Sequence, residues 1–362
     1  VALLKAGGAW TVHDHAYWLP AHVRLWHLVR GRMAARMALV VRLCFGGLMQ
    51  ATKLVVRARP EDIVYLPYPA PITLWWLSFI PARWRPRCVA DAYISLWDST
   101  FRDRLAGSTE GMLARAVHWF ERRGLHAASL ILVDTEANKR QHVVDFALPP
   151  DKVRSMPLAI DEQVLRSRPS MPSAPGKPTR VLFVGTLVPL HGIDVVLAAA
   201  DRLGSDPDIE FRFIGDGQQG GLVESFVRDG APGNFTWIRE WRSLEEIARE
   251  IVDADICLGV FGGAAKASRV LPFKLYYALA AGKAVVTQAH YSLPAGVPPL
   301  PAMLVATESR EEAVEQLVQR IRQLAEDAEL RSSLGVSALD YFDRQLASKA
   351  IQREWDDILL RC

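Results

Sequence analysis

The sequence predicts an α/β protein of two Rossmann-like, doubly wound domains facing a cleft. Three observations predict it. At 362 residues the chain exceeds the ~250–300 residues at which one core usually splits. Short continuous apolar runs alternate with helical patterns in both halves, as in a parallel sheet covered on both faces. Between the halves, residues 166–180 hold Pro169, Pro172, Pro175 and Pro178 among small polar residues, which marks a connecting segment. The expected division is a first domain over 1–160, a linker over 161–179 and a second domain over 180–335.

In the first half, residues 9–13 read as a strand and are followed by a long basic helical region. Residues 62–66, 88–92 and 129–133 read as further buried strands, with a helix around 112–123. The chain opens on Val1 and runs at once into what looks like a helix end, Leu3-Leu-Lys-Ala-Gly-Gly. A doubly wound domain normally begins with a strand and a Gly-rich turn, so a first βα unit is expected to be missing here. In the second half, strands are expected at 181–184, 210–214, 235–238, 256–259, 284–287 and 303–306. Helices are expected over 194–203, near 222–228 and from Leu244, and long helical stretches over 311–325 and 336–360 finish the chain.

Composition narrows the function classes. Half the residues are hydrophobic and 23% are charged, an ordinary globular balance. A net charge of +3 is too small to imply nucleic-acid binding. Cys44, Cys88, Cys257 and Cys362 lie far apart without paired spacing, so neither a zinc site nor a disulfide framework is expected. Residues 21–60 contain no Asp or Glu yet carry Arg24, Arg30, Arg32, Arg36, Arg42, Lys53, Arg57 and Arg59. Such a basic apolar segment suits a surface lying against anionic lipid, and a solvated helix face fits equally. The best candidate for a membrane span, 37–56, is interrupted by Arg42 and Lys53, and no secretory signal is visible. A cytoplasmic protein, peripheral on the inner face of the membrane, is the expectation.

The most informative motif runs from Lys266 through Arg269, Pro272, Lys274, Tyr277 and Gly282 to Thr287. Proline suits the first turn of a helix and glycine the position just past its last. Three cations, Lys266, Arg269 and Lys274, thus meet a helix N-terminus, which already carries partial positive charge and unpaired N–H groups. A phosphate or diphosphate is the expected occupant. Between the second domain's first strand and first helix, Gly185 and Gly192 bracket a loop whose backbone can come near a ligand, with His191 able to donate to phosphate. Gly215-Asp-Gly217-Gln-Gln-Gly220 matches a dinucleotide fingerprint, with Glu240 further on, but a complete βα unit precedes it. A turn at the edge of a cleft is the preferred reading there.

In the first half, Asp91, Ser95 and Asp98 follow a strand and offer carboxylates for sugar hydroxyls or for acceptor deprotonation. Asp98 alternatively caps the next helix. Capping is also expected of Asp134-Thr135-Glu136. Trp75, Trp76, Phe79 and Trp84, with Arg83, Arg85 and Arg87, form either a membrane-interface or acceptor-binding surface or part of the core.

Together these segments resemble the GT-B-fold glycosyltransferases of family four, the group 1 glycosyltransferases. The carrying residues are the 185–192 loop, Ile214-Gly-Asp-Gly217, Ala254-Asp-Ile-Cys-Leu-Gly259, Lys266-x-x-Arg269-Val-x-Pro-x-Lys274 and Ala280-x-Gly282-Lys-x-Val-Val. Asp91, Ser95 and Asp98 with Leu132-Val-Asp134-Thr-Glu136 carry it in the first domain. The resemblance implies retaining transfer from a nucleotide-diphosphate sugar to a glycan or lipid-linked acceptor, with no resident metal or cofactor. It implies Asp91, Arg269 and Lys274 as catalytic residues and Ser95 and Asp98 on the acceptor side. Gly185, His191, Gly192, Gly215, Gly217, Lys266 and Tyr277 would hold the donor, and a C-terminal helix over 336–362 would return to the first domain. Members usually carry Glu at the position of Tyr277, where it binds the ribose. Arg269, eight residues earlier, stands where many members have an acid and a subset has Arg. The alternatives are a sugar-nucleotide epimerase of the same fold and a non-catalytic sugar-nucleotide-binding or scaffold protein.

Overall fold

A computed structural model describes residues 5, 8, 10–13, 33–103, 109–166, 176–263 and 266–361. The chain divides into two units, Val1–Met156 with Gln352–Cys362, and Pro157–Ile351. Among the described residues the first unit holds the strands β1 (Ile63–Leu66), β2 (Arg87–Asp91), β3 (Leu130–Val133) and β4 (Val153–Ser155), all parallel and in the order β1-β2-β3-β4. The strand expected at 9–13 is not seen. Trp10 to His13 are irregular and Ala9 lies outside the described residues, as do Arg24, Arg30, Arg32, Pro169, Pro172 and Pro175.

Helices cover this sheet. They are α1 (Met33–Arg57), α2 (Ala70–Leu77), α3 (Met112–Ala127) and α4 (Glu136–Phe146). Leu74, Leu77, Leu125, Ile131 and Phe146 form the core between helices and strands. α1 runs unbroken through Arg42 and Lys53, within the long basic helical region expected there, and over Met37–Arg57 it is, by length and composition alone, long and apolar enough to cross a membrane. Two charges do not stop a helix, because lysine and arginine are good helix formers.

The second unit holds a six-stranded parallel sheet in the order β10-β9-β8-β5-β6-β7. Its strands are β5 (Thr179–Val184), β6 (Ile209–Ile214), β7 (Phe235–Ile238), β8 (Ile256–Leu258), β9 (Ala284–Gln288) and β10 (Met303–Val305). The order reverses between β5 and β8, the switch point at which open α/β sheets bind ligands beyond their carboxyl ends. Its helices are α5 (Gln163–Arg166), α6 (Ile193–Arg202), α7 (Gly220–Arg228), α8 (Leu244–Asp253), α9 (Phe273–Ala280), α10 (Arg310–Glu326) and α11 (Ala328–Tyr341). α8 starts on a reciprocal cap between Ser243 and Glu246. α9 ends as its glycine foretold. Gly282 adopts φ 63°, its N–H donates to the Leu279 carbonyl, and the Lys283 N–H donates to Ala278.

The single helix expected over 336–360 is broken. A π-helical turn at Phe342–Leu346 and an extended Ala347 separate α11 from α12 (Ser348–Arg361). The buried Phe342 and Leu346 anchor the break in the second unit's core. Beyond it, Asp357 pairs with Arg154 at 2.8 Å and Trp355 meets Tyr65 edge-on at 5.3 Å, both within the first unit.

Glu121 of α3, which no sequence motif singled out, organises the turn after β2. Its fully buried carboxylate accepts from the Ser95 hydroxyl at 3.0 Å and from the Leu96 and Trp97 N–H groups at 2.9 and 2.8 Å. Burial pushes its pKa up to about 7. Replacing Glu121 by Ala strands three buried donors at about 1–3 kcal/mol each, so a loss of roughly 3 kcal/mol or more is expected. Denaturant titration checks this, and an unchanged midpoint would show that the three donors find other partners.

Candidate functional site

The switch point of the second sheet gathers most of the donor residues expected from sequence. β5 delivers Gly185 and its loop, β6 delivers Gly215 and Gly217, and the connection from β8 to α9 delivers Lys266, Arg269 and Lys274. The loops interlock through glycine. A Cβ at Gly215 would run into the Gly185 carbonyl oxygen, and one at Gly217 would lie 2.8 Å from the Leu187 backbone. Gly192, at φ 63°, caps α6, and a Cβ there would sit 2.5 Å from the Phe261 backbone. The Gly215-Asp-Gly217 turn therefore buttresses the 185–192 loop, which accounts for the glycines without a dinucleotide. Glu240 is exposed, and Asp216 pairs with Arg239 at 2.9 Å.

Lys274 and His191 face each other across Gly185. A Cβ on Gly185 would lie 3.2 Å from the His191 ring and 3.3 Å from the Lys274 side chain. The Lys274 ammonium stands 3.7 Å over the Phe183 ring and donates to the Gly259 carbonyl at 3.2 Å. Part of the side chain reaches solvent, but the enclosure around Nζ strips it of water and sets its pKa well below that of lysine. His191 is buried, at 8% exposure, with Phe183 edge-on at 5.8 Å. Its Nδ1 makes no hydrogen bond. Burial first, then the charge of Lys274, push its pKa down to about 2, with the Thr186 backbone pulling the other way. The site thus pairs a neutral imidazole with a desolvated amine, and an anion entering between them would satisfy both.

Lys266 and Arg269 flank a 3-10 turn, Ala267–Arg269, ahead of α9, and the Arg269 N–H donates to the Lys266 carbonyl at 3.0 Å. Tyr277 lies about one turn beyond Lys274 on α9, half-buried against apolar neighbours. Desolvation, then the charge of Asp161, raise its pKa. Two buried polar residues at the end of β9, Thr287, which closes the motif, and Gln288, which sequence did not mark, hold the neighbouring loop. The Thr287 hydroxyl accepts from the Val260 N–H at 3.2 Å and the Gln288 side chain from the Gly263 N–H at 3.1 Å.

The other expected site residues lie in the first unit. Asp91 ends β2, where its carboxylate accepts from the Tyr65 hydroxyl at 3.0 Å and the Tyr93 N–H at 3.2 Å. Burial raises its pKa against these bonds. Ser95 is bound to Glu121, and its hydroxyl also accepts from the Asp98 N–H at 3.1 Å, so Ser95 rather than Asp98 acts as the cap. Asp98 is buried and paired with Arg102 at 3.1 Å, which also reaches Asp145 at 2.9 Å. At the next strand end the cap is Thr135, accepting from the Asn138 N–H, while Asp134 accepts from the Asn138 side chain.

The family described as Glycosyl transferases group 1 matches residues 178–327, which lie within the second unit. Solved structures give the fold of the whole chain, GT-B. HepE of Anabaena, in complex with UDP, aligns at 13% identity and TM-score 0.64 over 88% of this chain and 82% of that one. Sucrose-phosphate synthase of Thermosynechococcus elongatus aligns at 16% and 0.65, over 90% and 79%. The lipopolysaccharide outer core galactosyltransferase WaaB aligns at 13% and 0.61, over 89% and 81%. No protein with a curated description matches. The family match favours a transferase over the epimerase and scaffold alternatives.

Two expectations test this geometry. A histidine held neutral by the fold loses stability as pH falls below its ordinary value near 6.5, because only the unfolded chain then gains the proton. Between pH 7 and 5 that amounts to about 2 kcal/mol. His191→Gln should lose that much less than wild type over this interval, as read by denaturant titration. Parallel losses would mean that His191 is hydrated and titrates normally.

Tyr277→Glu would place a half-buried carboxylate near Asp161, at a cost of about 1–3 kcal/mol at pH 8. The penalty should shrink on acidification, as the new carboxyl protonates. A melting temperature equal to wild type at pH 8 would mean that position 277 is open to water.

Proposed function

We propose that this protein is a retaining glycosyltransferase that moves a sugar from a nucleotide-diphosphate sugar to a glycan or lipid-linked acceptor, without a resident cofactor. The observation that carries the donor side is the unpartnered Nδ1 of buried His191 beside the desolvated Lys274, at the switch point of the region that the group 1 glycosyltransferase family matches. A diphosphate there accepts from the imidazole and from the Lys274 ammonium and meets the amino end of α9. Lys274 and Arg269, with Lys266, stabilise the charge that builds on the leaving diphosphate, which is electrostatic catalysis by preorganised groups. Gly185, Gly192, Gly215 and Gly217 let backbone approach the phosphates. HepE has been crystallised with UDP and with UDP-glucose, which supports a uridine diphosphate sugar as the first donor to try.

On the acceptor side, Asp91 is the residue proposed to take up the acceptor proton, and its burial favours a base with raised affinity for that proton. Ser95 and Asp98 would shape the acceptor site from behind, through the turn that Glu121 holds. A cytoplasmic location at the inner face of the membrane fits a lipid-linked acceptor.

Lys274→Ala and Arg269→Ala should each weaken binding of UDP by about 1.5–3 kcal/mol, the worth of a charge-assisted bond. Calorimetry checks this, and unaltered affinity in both variants would remove the diphosphate from this site. Incubation with UDP-sugars and glycan acceptors, followed by NMR of the product's anomeric proton, tests transfer and retention. An inverted anomer would overturn the stereochemical part alone.

A further inference from the structure

We propose that α1 lies in the plane of an anionic phospholipid bilayer and docks the first unit on it. The helix commits one stripe to the protein. Leu43, Gly47, Ala51 and Leu54 face α2, where a Cβ on Gly47 would lie 2.7 Å from Ile72, and the Trp76 indole donates to the Cys44 carbonyl at 3.0 Å. At 100° per residue the rest of the helix is sorted rather than mixed. Met37, Leu48, Val41, Phe45, Val56 and Met49 succeed one another around an arc of about 120°. They are exposed, Val41 at 62%, Phe45 at 63% and Val56 at 78%. Arg42, Lys53 and Arg57 occupy the adjoining arc, and all three are exposed.

Water is a poor partner for such an arc, which exceeds the scattered apolar residues normal on a surface. The charge beside it selects the occupant. No acidic residue occurs between positions 21 and 60, so the face has nothing to offer a basic protein and is matched to a negative surface. The segment that follows α2, together with α3, carries what a headgroup zone favours, exposed aromatic rings with guanidinium groups stacked on them. Phe79, Trp84 and Trp119 are 54–63% exposed. Arg123 stands 4.4 Å over Phe79, and Arg83 stands 4.5 Å over Trp84. Length alone would let α1 span a membrane. Its packed stripe against α2, a helix of a parallel-sheet domain, holds it on the surface instead.

The test uses the full chain with vesicles of phosphatidylcholine alone or with about a third phosphatidylglycerol. Flotation should recover the protein with the anionic vesicles, and recovery should fall as salt rises toward ~0.5 M. Each basic residue near an anionic surface contributes about fivefold in affinity, so Arg42→Gln with Lys53→Gln should weaken binding about twentyfold. Val41→Ser with Phe45→Ser should weaken it at least tenfold on both salt levels, since insertion is not screened. These side chains are exposed, and an unshifted melting temperature verifies that the variants fold. Equal recovery with neutral and anionic vesicles overturns the proposal. So does a concentration-dependent dimer that Val41→Ser with Phe45→Ser dissociates while vesicle recovery is unchanged, which would give the face to a second copy. Resistance to extraction by alkaline carbonate overturns it in favour of a spanning helix.

Discussion

The carboxyl edge of the second sheet is arranged around one ammonium group that has little water. Lys274 rests on the Phe183 ring and the Gly259 carbonyl, and neither neutralises it. A ring face and a single carbonyl replace only part of an ammonium's hydration. The deficit explains the neighbourhood. His191, drawn against the same point by the 185–192 loop, is kept neutral first by its own burial and then by the charge of Lys274. The glycines let the loops of β5, β6 and β8 close on each other until backbone, ring and ammonium are in contact. An anion is the species that relieves the deficit, and the amino end of α9 offers it further donors.

The same logic, with the sign reversed, governs the turn after β2. Glu121 is buried without a cation in contact among the described residues, and its compensation is three hydrogen bonds from Ser95, Leu96 and Trp97. A carboxylate so placed favours a fixed turn over a flexible one, because any opening exposes several bonds at once. Asp91 leaves the strand next to this turn. Its position is thereby set by a residue thirty positions later in the chain, on a helix with no motif of its own.

The sequence displays the strands well, because buried parallel strands are short runs of apolar residues bounded by turns. It displays the second unit's site equally well. Gly185, Gly192 and Gly282 each occupy a position that backbone geometry dictates. What it hides is tertiary. That Lys274 would sit on Phe183, and that the Gly215-Asp-Gly217 turn would buttress another loop, depends on partners far apart in the chain. α2 escaped notice because it is apolar on nearly every side, giving no helical period to read. The break at Ala347 has no proline or glycine to mark it and follows from the anchoring of Phe342 and Leu346. Ser95 displaced Asp98 as a cap: its hydroxyl accepts from the Asp98 N–H, while the Asp98 carboxylate is engaged with Arg102.

The residue at 277 shows how such distant partners can set an identity. α9 buries Leu275, Tyr276, Ala278 and Leu279, and the Tyr276 hydroxyl accepts from the Leu158 N–H at 3.2 Å. That bond ties residues just after Met156 onto the helix, in the same stretch as Asp161. Asp161 accordingly perturbs Tyr277, raising its pKa together with the loss of water. A carboxylate at 277 would meet the same loss of water and the same neighbouring acid, offset in part by the Asp161 N–H. A phenol answers both, since it is neutral at physiological pH and covers apolar neighbours with its ring. On this account the departure at 277 and the acid at 161 are one feature. α9 itself has no acidic side chain, and the acid beside Tyr277 comes from the segment after Met156.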